Sequence, residues 1–160
     1  MKNLIVLFLA VSFCMHKGYG QPKIGSKVPD IVLKDSSGKS IGLYQQSSKL
    51  ILIDFWASWC GPCRKSNRQL YSFYQKYQPK GFEIFGVSLD KSVPDWIGAI
   101  KADRIKWLQV IDTGGWDASV ASDWKIEYLP TSFLVNEKKE LLAVNPTPAQ
   151  IERYLKKLSK

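Results

Sequence analysis

Apolar positions along the chain follow two rhythms. Residues 50–56 form a nearly continuous apolar run of strand length, Leu50-Ile51-Leu52-Ile53-Asp54-Phe55-Trp56, the pattern of a central strand covered on both faces, and residues 84–89 read as a second buried strand. Between them Leu70, Phe73, Tyr74 and Tyr77 stand at i, i+3, i+4 and i+7, which predicts an amphipathic helix from Pro62 to about Gln78-Pro79. Further on, the pattern predicts a helix over 93–100 started by Ser92, a strand over 107–111, a loop at Gly114-Gly115 and a helix over 116–124. A strand hairpin follows, 132–135 and 140–144 joined through 136–139. Thr147-Pro148-Ala149-Gln150 is a capping box with proline at the first helical position, and Ile151, Tyr154, Leu155 and Leu158 continue it at helical spacing. At the front, turn residues bracket 31–33, and 41–43 follows, which predicts an N-terminal β-hairpin. Neither a repeat nor a linker interrupts 24–158, so one α/β domain is expected.

The first 20 residues differ. Met1-Lys2-Asn3 gives a positive start, residues 4–11 are apolar but too few to span a bilayer comfortably, and Gly18 and Gly20 place small residues at −3 and −1 of a cut before Gln21. The expectation is a signal peptide at 1–20 and a mature domain at 21–160, exported to the periplasm or another extracytoplasmic space. Tethering through lipidated Cys14 is disfavoured by bulky Phe13, and an uncleaved anchor by the short run and the His16-Lys17 that follows it.

Removing the leader changes the available chemistry. The full chain has 23 Lys+Arg against 14 Asp+Glu; without Lys2 and Lys17 the balance is 21 against 14, or +7. The lysines are scattered, with local pairs only at Lys138-Lys139 and Lys156-Lys157, so solvated surface charge is expected and a nucleic-acid partner is not. Cys14 and His16 leave too, so the mature chain keeps two cysteines and no histidine. Ser-His-Asp and Cys-His hydrolase arrangements then lack their base, and a structural zinc lacks half its ligands. No metal and no cofactor is expected.

The two cysteines lie in Trp59-Cys60-Gly61-Pro62-Cys63, just after a buried strand and at the opening of a helix. There the free N–H groups and the positive end of the helix favour a thiolate at Cys60. Pro62 is tolerated in a first turn, and Gly61 lets another chain's backbone approach. The loop the pair would close is too short to stabilise a fold by chain entropy, so a redox pair is preferred over a structural bridge or half a metal site. Arg64 and Lys65 are expected to point to water and contribute little. Asp54 is a carboxylate inside an apolar strand: either burial raises its pKa and makes it a proton carrier, or it turns outward or caps the next helix. Leu129-Pro130-Thr131 ahead of an apolar strand suits a tight turn. Trp107, Trp116 and Trp124 read as packing aromatics, and Asp112, Asp117 and Asp123 as surface acids.

The segment 53–63 strongly resembles the active-site segment of the thioredoxin superfamily, and Tyr128-Leu129-Pro130-Thr131 resembles its cis-proline turn. The Gly25–Asp30 start, the hairpin before the core and the inserted helix and strand at 92–111 are similar to the exported TlpA/ResA branch, which borders the peroxiredoxins. The resemblance implies a thioredoxin fold, a central mixed β-sheet flanked by helices with an N-terminal β-hairpin and an inserted helix-strand. It implies that Cys60 attacks a substrate disulfide and Cys63 resolves the mixed disulfide. Asp54 would take the proton from Cys63, Pro130 would be cis and face the cysteines, and Trp59, Gly61, Pro62, Leu129 and Pro130 would contact substrate. Asp90 is a loose candidate for the further acid that branch often carries near its site.

The resulting expectation is an exported monomeric thiol:disulfide oxidoreductase that reduces protein disulfides, with disulfide-containing client proteins and an upstream thiol donor, such as a membrane thiol transporter, as partners. Rival readings are a dithiol oxidase or isomerase with the same residues at a higher potential, a peroxiredoxin, and a metallochaperone. The peroxiredoxin is disfavoured by Trp59 ahead of Cys60. The metallochaperone is disfavoured by the missing histidine.

Overall fold

The computed structural model describes residues 22–158; the expected leader, with Cys14 and His16, lies outside the described residues. The chain runs β1 (Val32–Lys34), β2 (Ser40–Gly42), β3 (Leu50–Trp56), α1 (Gly61–Tyr77), β4 (Phe82–Ser88), α2 (Val93–Ala102), β5 (Leu108–Ile111), α3 (Ser119–Asp123), β6 (Thr131–Asn136), β7 (Leu141–Val144) and α4 (Pro148–Leu158). The seven strands form one mixed sheet in the order β2-β1-β5-β4-β3-β6-β7. β3 pairs with β4 in parallel and with β6 antiparallel, and every residue of β3 is buried, as its apolar run predicts.

The alternation of β3 divides the core into two layers. Leu50, Leu52 and Trp56 face α1, α2 and α4 and pack with Leu70, Trp96, Ile151 and Leu155. Ile51, Ile53 and Phe55 face the other way, onto Val28, Ile31, Leu43, Val120 and Trp124. The sheet is therefore covered on both faces, which is what allows a strand as apolar as β3 to sit at its centre.

The N-terminal hairpin forms as predicted, Leu33 opposite Ile41, and β1 joins the sheet through Lys34 opposite Ile111 of the inserted β5. The capping box at α4 is also present: Gln150 N–H donates to Thr147 Oγ1 at 3.3 Å and Thr147 N–H to Gln150 Oε1 at 2.8 Å.

Two expectations are corrected. The helix predicted over 116–124 is a 3₁₀ turn, Gly115–Asp117, followed by α3; Ala118 between them is extended at φ −59° and ψ 137°, so the helical ladder cannot run through. Lys139 is not a solvated surface charge. It occupies the left-handed region at φ 63° in the β6–β7 turn and is buried, its Nζ donating to the carbonyls of Gln46 (2.7 Å) and Glu137 (2.9 Å).

Candidate active site

β3 ends at Trp56, and four residues later Cys60 becomes the N-cap of α1. Cys60 and Cys63 are joined in a disulfide with their Cα atoms 5.2 Å apart. The Cys63 N–H points at Cys60 Sγ at 3.2 Å, so the outer sulfur occupies the place of a capping acceptor over the free N–H groups of the helix. No acidic residue lies in the first turn to oppose negative charge there. Such a position favours thiolate at Cys60 in the reduced protein. Exposure separates the two residues: Cys60 is 6% exposed and Cys63 1%, so Cys60 is the outer partner. Gly61 and Pro62 are exposed, and a Cβ added to Gly61 would meet nothing within 4 Å, so no packing inside the chain demands glycine there.

The loop between β3 and Cys60 is held at Ser58. Its N–H and its hydroxyl both donate to the buried carboxylate of Asp90, at 2.9 and 2.6 Å, and Ser88 Oγ donates to the same group at 2.7 Å. The Ser58 carbonyl accepts from Arg64 Nη1 at 3.2 Å. Arg64 in turn forms a two-point pair with Asp103 at the C-cap of α2, which also receives Arg68 Nη1 at 2.9 Å. Arg64 therefore does not point to water, contrary to the expectation from sequence. Asp103 is only 3% exposed, and pairing with it is what draws the guanidinium in. Lys65 is exposed as expected. Asp90 is a holder of the loop, a placement that separation in sequence conceals.

Asp54 neither turns outward nor caps a helix. It sits mid-sheet opposite Gly86 and Ser132 and is 4% exposed, and among the described residues no donor reaches its carboxylate. Burial pushes its pKa up to about 7. Its face opens onto a cleft of about 560 Å³ between α1 and α4, lined among others by Ser66, Gln69, Ser132, Pro148 and Glu152. In the row beside it Gln109 Oε1 accepts from Trp56 Nε1 at 2.8 Å while its amide lies over Gly86, where an added Cβ would come within 2.1 Å of Gln109 Nε2. Gly86 is thus a close-approach glycine.

The Leu129–Pro130 bond is cis. Thr131 pairs with Phe55, which places Pro130 beside the end of β3, and Leu129 packs against the cluster containing both cysteines. Trp59 is 57% exposed next to Cys60. The fold thus gathers Asp54, Trp59, Cys60, Gly61, Pro62, Cys63, Leu129 and Pro130 around the end of one strand. Sequence reasoning assigns no role to Asp103 or Gln109, expects Arg64 in water and Trp116 in packing, and has no local signal for the Arg64–Asp103 pair, whose partners stand 39 residues apart.

Comparison with known proteins agrees with this geometry. The Redoxin family profile matches residues 23–158. The chain is 31% identical to the thiol-disulfide oxidoreductase ResA of Bacillus thuringiensis subsp. konkukian, over 98% of this chain and 92% of that protein, and 30% identical to ResA of Bacillus subtilis, over 95% and 87%. Among solved structures, the thioredoxin domain of a thiol-disulfide oxidoreductase from Bacteroides vulgatus superposes with a TM-score of 0.76 at 30% identity, covering 86% of this chain and 99% of that one. A thiol-disulfide oxidoreductase from Bacteroides fragilis gives 0.74 at 30%, covering 83% and 99%.

Proposed function

The chain belongs to the Redoxin family and is a thiol-disulfide oxidoreductase of thioredoxin fold, and from that premise we propose that it is an exported reductase of protein disulfides. The observation that carries this reading is the asymmetry of the pair: Cys60 is outermost, at a helix N-terminus with no acid in its first turn, and Cys63 is enclosed behind it. The Cys60 thiolate attacks one sulfur of a client disulfide, forming a mixed disulfide and releasing the other client sulfur as a thiolate, which takes a proton from solvent. Asp54, ionised, accepts the proton of Cys63; the Cys63 thiolate then attacks Cys60 Sγ, closes the Cys60–Cys63 disulfide and releases the second client thiolate. Two electrons pass from the enzyme dithiol to the client.

Gly61 and Pro62 leave a low lip over which a client backbone passes, and the open space above Gly61 supports that role. Trp59, Leu129 and Pro130 flank the same opening. In this reading the leader 1–20 directs export of the single domain 21–160, which acts as a monomer and is re-reduced by an upstream thiol donor such as a membrane thiol transporter. Gly-Pro between the cysteines resembles reducing rather than oxidising members and sets the direction.

The test is the reduction potential of the Cys60–Cys63 pair, measured by equilibrium with glutathione or dithiothreitol buffers. A value near the roughly −270 mV of reducing thioredoxins is expected. One near the roughly −120 mV of strong oxidants would assign an oxidase instead.

A further inference from the structure

Trp116, expected from sequence among the packing aromatics, is 49% exposed, and its ring centroid lies 6.1 Å from that of Trp59. The chain around it is held firmly. Gly114 N–H donates to Asp112 Oδ1 at 3.0 Å, and Gly114 passes so close to α3 that an added Cβ would stand 2.8 Å from Ala118 Cα. Gly115 is buried at φ 64° beneath the Lys91 side chain. A pinned turn thus holds a large indole in solvent beside the reactive cysteine, and exposed aromatic surface of this kind marks an interaction site.

The two indoles and Leu89 wall a groove of about 450 Å³, with Lys91, Ser92 and Asp95 at its edge. Trp59 belongs both to this groove and to the lip of Cys60, so the groove continues the face on which a client must dock. Its size lies at the lower end of the about 300–1,000 Å³ typical of ligand pockets, which suits one side chain rather than a helix. Lys91 and Asp95 oppose each other in sign, and the Asp90 carboxylate is already engaged by Ser58 and Ser88. What it offers is carbon surface. A client strand advances about 3.3 Å per residue, so with its cysteine at Cys60 a residue one or two positions away passes over Trp59.

We propose that Trp116 is a specificity-determining residue and that the Trp59–Trp116 groove receives a large apolar side chain flanking the client's cysteine. The inference rests on the reductase reading above and names the class of client polypeptide it favours.

The experiment compares, with the reduced protein, kcat/KM for three disulfide-linked peptides of equal length carrying Phe, Ser or Lys beside the cysteine. The Phe peptide is expected to exceed the Ser peptide by at least about tenfold, chiefly through KM, as for an interfacial Trp anchor. Trp116→Ala is expected to bring that ratio close to one, and Trp116→Phe to keep most of it. Equal rates for Phe and Ser in the wild type, or a Trp116→Ala variant that slows both alike with the ratio intact, would overturn the proposal. A preference for Lys would overturn the apolar assignment in favour of cation binding at the indoles and Asp95. Failure to reduce any of the three, or hydroxyethyl disulfide, would instead remove the reductase reading on which the inference stands.

Discussion

The backbone N–H and the hydroxyl of Ser58 converge on one carboxylate, that of Asp90, from 32 positions away in sequence. Asp90 lies just past β4, and Arg64, which takes the Ser58 carbonyl, is fixed by Asp103 at the far end of α2. The segment between β4 and β5 therefore grips the residue two positions before Cys60 directly at its N–H and hydroxyl, and through Arg64 of α1 at its carbonyl.

Replacing Asp90 by Ala orphans the Ser58 N–H and the hydroxyls of Ser58 and Ser88. A loss of about 2–4 kcal/mol is expected in urea unfolding with the m-value unchanged: an abandoned buried group such as the Ser88 hydroxyl costs about 1–3 kcal/mol, and the half-buried Ser58 groups regain part of theirs from water. The released loop should also slow Cys60 alkylation in the reduced, still-folded variant. Alkylation at the wild-type rate would show that Cys60 does not depend on this anchorage.

Asp54 makes two pH predictions. In the proposed role of base for Cys63 it must be ionised, so the rate of mixed-disulfide resolution should fall about tenfold per unit below pH 7. For stability the sign is opposite to that of a salt-bridged acid. The folded-state value is raised, so between the ordinary 3.8 and about 7 the folded protein keeps a proton the unfolded chain has lost, and stability falls as pH rises through that window. Asp54→Asn should stabilise the fold by on the order of 4 kcal/mol at pH 8 and by less at pH 5, while flattening the rate profile. An identical gain at both pH values would contradict a raised value.

The roles of the two sulfurs separate in variants. Reduced Cys63→Ser, mixed with a disulfide-linked peptide, is expected to accumulate a covalent adduct at Cys60 visible by mass spectrometry. Cys60→Ser should accumulate none, because Cys63 is almost fully enclosed. An adduct on Cys63 would reverse the assignment.

Gly86→Ala should cost about 1–3 kcal/mol although it adds one methyl group. The new Cβ displaces the Gln109 amide, and the Trp56 N–H then loses its partner inside the core. Combining it with Gln109→Ala, which already breaks that bond, should give less than the sum of the two single losses.

Much of the architecture is legible in the sequence because it is local. The apolar run of β3, the spacing of Leu70, Phe73, Tyr74 and Tyr77, and the capping box at Thr147 each specify their element within a few residues. The cysteine pair and Asp54 are legible as anomalies against that pattern. The Ser58 grip is not, since its partners lie 32 and 6 residues away and the arginine's own partner 39 away, and nothing local distinguishes Asp90 or Asp103 from surface acids. Trp116 is missed for a related reason. Aromatic content argues for packing, and only the extended Ala118, which breaks the expected helix, leaves the indole outside the core.

The cleft over Asp54 and the groove beside Trp59 share no residue. A client bonded to Cys60 can cover the front of the molecule and leave the cleft beside Asp54, between α1 and α4, uncovered. In the proposed mechanism protons and polypeptide then use separate doors, and Asp54 can take up the Cys63 proton while the client is still bonded to Cys60.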